Sequence, residues 1–203
     1  MKKKLALSLV FIAWFAVIAQ YVLMVQNRHV SIAEVSIRFL SFFTILTNIV
    51  VAIYFTCILL IKNLDTKLIG KAGTRTAIAI YITMVGSVYQ LALRHVWQPE
   101  GLQRIVDELL HSVIPILVII FWAVYERTKT IKYFEMLKWS IFPLIYLGYI
   151  LIRGDFSNFY PYPFVDVTEI GLTKVFINST VLLAIFFLIS GIFILIGKSV
   201  IKR

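Results

Sequence analysis

LALSLVFIAWFAVIAQYVLMV, residues 5–25, decides the fold class. It follows Lys2-Lys3-Lys4 and so imitates a signal peptide, whose apolar segment runs about 7–15 residues. This run continues without a charge to Val25, long enough for a membrane helix of about 20 residues. It offers no clear small-x-small cleavage site, so it reads as a retained first span. Working outward, five more apolar blocks follow, and the six lie at about 5–25, 37–61, 76–97, 105–125, 137–152 and 172–196.

Composition agrees. The 203 residues are 61% hydrophobic and 15% charged, against about 45–50% and about 25% in soluble domains. That excludes a soluble enzyme, a disordered chain and a disulfide scaffold. The single cysteine, Cys57, sits in an apolar run and reads as a small buried hydrophobe. The blocks lack the alternation of a barrel wall, so they read as helices. The breaks hold Gln26-Asn27-Arg28, Gly70-Lys71-Ala72-Gly73, Gln98-Pro99-Glu100-Gly101 and Glu126-Arg127-Thr128-Lys129. The longest break holds Tyr160-Pro161-Tyr162-Pro163, too rich in proline for helix. Residues 1–203 thus read as one domain, an all-α bundle of six transmembrane helices.

The net charge of +10 is a topology signal rather than a nucleic-acid surface. Fourteen cationic and three acidic residues fall on one side, including Lys67, Lys71, Arg127, Lys129, Lys202 and Arg203; six cationic and seven acidic fall on the other. The cationic side faces the cytoplasm, which places both termini there.

Polar residues inside spans are costly and therefore informative. Span two offers Arg38, Ser41, Thr44 and Asn48, which at about 100° per residue fall within an arc of roughly 120°. Span three offers Gln90 and Arg94, span four Asp107, Glu108 and His111, span five Tyr149 and Arg153, and span six Asn178. Alternating span directions put Gln20, Gln90, Arg94, Tyr149 and Arg153, and likewise Arg38, Ser41, Thr44, Asp107, His111 and Asn178, toward the outer side, with Ser41 and His111 about 5–10 Å below the boundary at about 1.5 Å per residue. One polar cavity in the outer leaflet follows, above inner halves of nearly pure Leu, Ile, Val and Phe. Taken singly, a serine or threonine here glues helices and an arginine snorkels. Asp107 and His111, one turn apart, are harder to dismiss, because the carboxylate orients the imidazole.

A hydroxyl beside a histidine is the minimum for nucleophilic catalysis. The candidates are Ser41 or Thr44 as nucleophile, His111 as base and Asp107 or Glu108 as its orienting group. Arg38, Asn48, Gln90, Arg94, Tyr149, Arg153 and Asn178 are candidate substrate contacts, the arginines for a carboxylate. Glu108-x-x-His111 matches half of a di-metal helix motif, but no second half occurs, so neither metal nor cofactor is expected. The competing reading is a non-catalytic protein that binds or transports lipid.

The segments Arg38-Phe39-Leu40-Ser41-Phe42-Phe43 and His111-Ser112-Val113-Ile114-Pro115 resemble the two signatures of the androgen-induced-gene family of integral membrane hydrolases. The loop Tyr160-Pro161-Tyr162-Pro163-Phe164-Val165-Asp166 resembles its prokaryotic six-helix relatives. The resemblance implies a threonine-type hydrolase of fatty acid esters of hydroxy fatty acids, in a bacterial cytoplasmic membrane, with a lipid ester as its partner. It implies His111 as base and the Ser41 position as nucleophile, where serine stands in place of the family's threonine, with Thr44, one turn deeper, as the fallback.

Overall fold

The computed structural model describes residues 2–62, 68–70, 73–126 and 131–200. Lys67, Lys71, Arg127, Lys129, Lys202 and Arg203, which carry part of the charge asymmetry, lie outside these residues. The described residues form helices and turns, with no strand among them. The helices are α1 (Lys2–Gln26), α2 (Ile32–Leu40), α3 (Phe43–Leu60), α4 (Thr74–Val88), α5 (Gly101–Glu108), α6 (Ile114–Tyr125), α7 (Glu135–Trp139), α8 (Ile141–Ser157), α9 (Val167–Ile170) and α10 (Leu172–Val200). A π-helical turn, Tyr89–Leu93, prolongs α4, and another, Leu109–Val113, joins α5 to α6. Six of the resulting rods are long and apolar enough to cross a membrane: Lys2–Gln26, Phe43–Leu60, Thr74–Leu93, Gly101–Tyr125, Glu135–Ser157 and Leu172–Ser199.

The core forms around α1 and α3. Ala6, Leu9, Ala13 and Ala16 of α1 recur at helical spacing and are fully buried, as are Val51, Ala52 and Phe55 of α3. Small residues let two membrane helices approach closely where lipid provides no hydrophobic drive. Phe121 of α6 closes edge-on against Phe55 at 4.8 Å.

Span two departs from expectation. Residues 37–61 are not one helix, because the chain breaks at Ser41 and Phe42, where Phe42 is extended. Two signals account for the break. Ser31 caps Glu34 N–H at 3.2 Å, so Ser31-x-x-Glu34 starts α2 early as half of a capping box. The Ser41 hydroxyl then donates back to the Ile37 carbonyl at 2.7 Å, the kind of local bond that competes with helix continuation. The break makes Thr44 the second residue of a new 18-residue helix, whose first N–H groups have no partner within it.

The π turn before α6 follows from Pro115. Ile114 N–H bonds the Leu109 carbonyl. The Leu110 carbonyl then faces Pro115, which has no N–H. Asn48 of α3 supplies the missing donor through Nδ2 at 3.3 Å. Gly86 lets α4 approach this turn, since a Cβ there would stand 3.1 Å from the His111 carbonyl.

Contacts such as Gln20–Gln103 at 2.8 Å and Arg153–Glu34 at 2.8 Å gather the polar groups at one end of the bundle. The opposite end is not purely apolar, as the sequence suggested. Trp122 Nε1 donates to Thr76 at 2.9 Å, Thr76 donates to Glu126 at 3.2 Å, and Arg75 donates to the Tyr54 hydroxyl at 3.1 Å. Arg75 and Glu126 each lie at the foot of a span, where a pair costs less than at mid-membrane.

α8 ends with Asn158 in the left-handed conformation, φ 53°, which folds the chain back over the polar end. A small core of Ile150, Val165 and Val175 holds this return. Gly154 makes room for it, because a Cβ there would stand 2.0 Å from the Tyr160 ring. Gly154→Ala is therefore expected to displace Tyr160 and cost about 1–3 kcal/mol through overpacking. Thermal unfolding in detergent checks this, and Tyr160→Ala added to Gly154→Ala recovers part of the loss.

Candidate active site at the start of α3

Thr44 Oγ1 stands 3.3 Å from His111 Nε2. On the other side of the ring, His111 Nδ1 lies 2.9 Å from the Asp107 carbonyl and 3.2 Å from Asp107 Oδ1. Both of these are acceptors when Asp107 is ionised, so Nδ1 carries the proton and Nε2 presents its lone pair to the threonine hydroxyl. Tyr89 stacks on the imidazole with centroids 4.1 Å apart and planes 16° from parallel, which fixes the ring's tilt. Thr44 and Asp107 are 7% and 5% exposed, so the group sits where charge interactions are weakly screened.

Asn48 holds the two elements in register. Its Nδ2 donates to the Thr44 carbonyl at 2.8 Å and to the Leu110 carbonyl at 3.3 Å. It was a candidate substrate contact in the sequence, and the structure places it behind the site instead, fully buried.

Tyr162, from the proline-rich return, completes the constellation. Its hydroxyl lies 3.3 Å from Thr44 Oγ1 and accepts the Thr44 N–H at 3.3 Å. Burial raises its phenol above the ordinary range, so it stays protonated and able to donate. Phe164 stacks on its ring at 5.1 Å, and Phe42 meets it edge-on at 5.8 Å. Neither Tyr162 nor Tyr89 was among the sequence candidates. The tyrosine-proline alternation marked Tyr162 as non-helical and as part of a loop resembling the family's, with no role of its own.

The other candidates distribute as follows. Ser41 is fully buried, and its hydroxyl bonds Ile37 and, at 3.3 Å, Tyr149. The structure thus brings Thr44, rather than Ser41, to His111, because the break leaves Ser41 on the last turn of α2. Arg153 is held by Glu34, Ser157 and the Phe159 carbonyl. Arg94 pairs with Glu108 and donates to Gln90 at 2.7 Å. Glu108 also accepts from Ser112 at 2.6 Å, which accounts for the carboxylate of the Glu108-x-x-His111 pair. Asn178 donates to the Phe164 carbonyl at 3.0 Å and so steadies the loop that carries Tyr162. Arg38 bonds Glu34 through Nε at 2.7 Å, and its guanidinium lies 4.5 Å above the Phe159 ring.

Two cavities meet at Thr44. A wide one of about 720 Å³ is lined by Arg38, Tyr89, Asp107 and His111 among others. A narrow, apolar one of about 130 Å³ is lined by residues of α4, α8 and α10. Thr44, Leu93 and Tyr162 border both. Of the candidate substrate contacts, Arg38 alone lines either of these two cavities.

Comparison with protein-family profiles, curated proteins and solved structures returns no match.

Glu34 joins α2 to α8, and its charge is tied to the fold. The hydrogen bond from Arg38 holds its carboxyl below the ordinary value near 4.5; partial burial opposes this, and Arg153 adds to it. A depressed folded-state value contributes stability that is present at neutral pH and lost as pH falls through it. Glu34→Gln is expected to lower the unfolding midpoint at neutral pH. The gap to wild type closes as the pH drops below 4.5; a gap that persists unchanged contradicts this role.

Proposed function

We propose that this chain is a membrane-embedded hydrolase of lipid esters, with Thr44 as nucleophile, His111 as general base and acid, and Asp107 orienting the histidine. The observation that carries it is the continuous relay from Thr44 Oγ1 through His111 to Asp107, set where two cavities join. Nucleophile, base and orienting group within such reach are the signature of acyl transfer.

In this reading His111 Nε2 takes the Thr44 proton as Oγ1 attacks the ester carbonyl. The imidazolium that forms is stabilised by Asp107. The oxyanion develops at the start of α3, which carries positive partial charge. The Thr44 N–H and the Tyr162 hydroxyl are the donors at hand there. Tyr162 fills that place at rest, so the substrate carbonyl displaces its oxygen from the Thr44 N–H.

The sequence resemblance supports the same class, with fatty acid esters of hydroxy fatty acids as the substrate family. It assigns the nucleophile to the Ser41 position, and the contact with His111 favours Thr44. The asymmetry of Lys and Arg supports cytoplasmic termini. The site then lies toward the outer leaflet of a bacterial cytoplasmic membrane, within reach of lipid.

Purified protein assayed with long-chain esters tests the reading. Thr44→Ala is expected to lower turnover at least about 10³-fold and to lose labelling by a fluorophosphonate probe, while Ser41→Ala keeps the label. His111→Gln costs about 10²-fold or more, and Asp107→Asn on the order of 10²- to 10⁴-fold through the wrong tautomer. Intact ester retained at stoichiometric level by the wild type identifies a lipid-binding protein instead.

A further inference from the structure

The two cavities differ in one respect that bears on how an ester lies in the site. His111 and Asp107 line the wide cavity and are absent from the lining of the narrow one. The narrow cavity is walled by Met84, Val88, Leu147, Leu182 and Phe186. Thr44 stands on the boundary.

The chemistry of the relay breaks the symmetry between the two halves of an ester. Thr44 Oγ1 adds to the carbonyl carbon, and its proton passes to His111 Nε2. On collapse the bond from carbon to the alcohol oxygen breaks, and that oxygen takes the proton back from Nε2. The general acid must therefore face the leaving oxygen. The alcohol half lies on the histidine side, in the wide cavity. The acyl half, left as an ester on Thr44, extends to the other side. Water then enters the vacated wide cavity, gives a proton to Nε2 and adds to the acyl carbon. The Thr44 oxygen leaves with that proton, and a carboxylic acid remains.

On this basis, and resting on the hydrolase reading, the geometry points to the narrow cavity as the acyl-chain site, its occupant the saturated or unsaturated chain of a fatty acyl group. Its lining suits that occupant, since five side chains from α4, α8 and α10 give it an apolar wall. The wide cavity, bordered by Gln103 and Arg38, takes the alcohol half, whose size and polarity are less restricted.

Two ester series test the orientation on the full-length protein in detergent. One is p-nitrophenyl esters from acetyl to dodecanoyl, and the other is acetate esters of alcohols from ethanol to dodecanol. Leu182→Trp and, as an independent filler, Leu147→Trp narrow the apolar cavity, while Leu23→Trp narrows the wide one, which it lines. Filling the apolar cavity is expected to lower the dodecanoyl-to-acetyl ratio of kcat/KM about tenfold or more, with no matching fall in the dodecanol-to-ethanol ratio. Leu23→Trp is expected to do the reverse. The opposite pairing, or equal falls in both series, overturns the orientation while leaving the hydrolase reading in place. Absence of turnover in wild type, with Thr44 unlabelled by fluorophosphonate, overturns both.

Discussion

Asn48 donates one hydrogen bond along its own helix and another across to Leu110, and the arrangement of the site depends on that pair. In hydrocarbon every backbone polar group must find a partner within the protein. Pro115 removes the donor that the Leu110 carbonyl would use, and the Asn48 amide replaces it. The same amide holds the Thr44 carbonyl, so the satisfaction of an orphan carbonyl fixes the distance between Thr44 and His111. The π turn then becomes part of the geometry rather than a defect, and it sets the bearing of His111 from Thr44. Such turns recur at functional positions for this reason.

The second constraint is the broken span. A continuous helix over residues 37–61 would direct Arg38, Ser41, Thr44 and Asn48 along one face. The break divides them. α2 keeps Arg38 and Ser41 for contacts with Glu34, Ile37 and Tyr149. α3 starts afresh with Thr44 in its first turn, its N–H bonded to the Tyr162 hydroxyl rather than within the helix. Arginines also sort by neighbour: Arg153 and Arg94 are bound to carboxylates on adjacent elements, whereas Arg38 borders the wide cavity.

Much of this was legible beforehand. Each of the six apolar blocks overlaps a rod long and apolar enough to cross a membrane, with the second beginning only at Phe43, since a span needs about 20 apolar residues. Asp107 and His111 were legible because four residues bring side chains onto one helical face. The choice between Ser41 and Thr44 was not resolvable by periodicity, which assumes an unbroken helix, and the resemblance pointed to Ser41. Ser31-x-x-Glu34 was the local sign that a separate helix begins at Ile32. Tyr162 was hidden because its role depends on a loop folding back across the bundle, a contact separated by 118 residues from Thr44. Its nearest clue is Gly154, which leaves the gap that Tyr160 occupies.

That returning loop has a bearing on how the site is covered. α1, α3, α4, α5, α6 and the later part of α10 share one large core, while Ile150 of α8 belongs to the small one with Val165 and Val175. Thr44, His111 and Asp107 are thus brought together by the first group of helices. Tyr162 comes from the return between α8 and α10 and packs on the small core. The contact between Thr44 and His111 thus rests on the large core, and its cover on the small one.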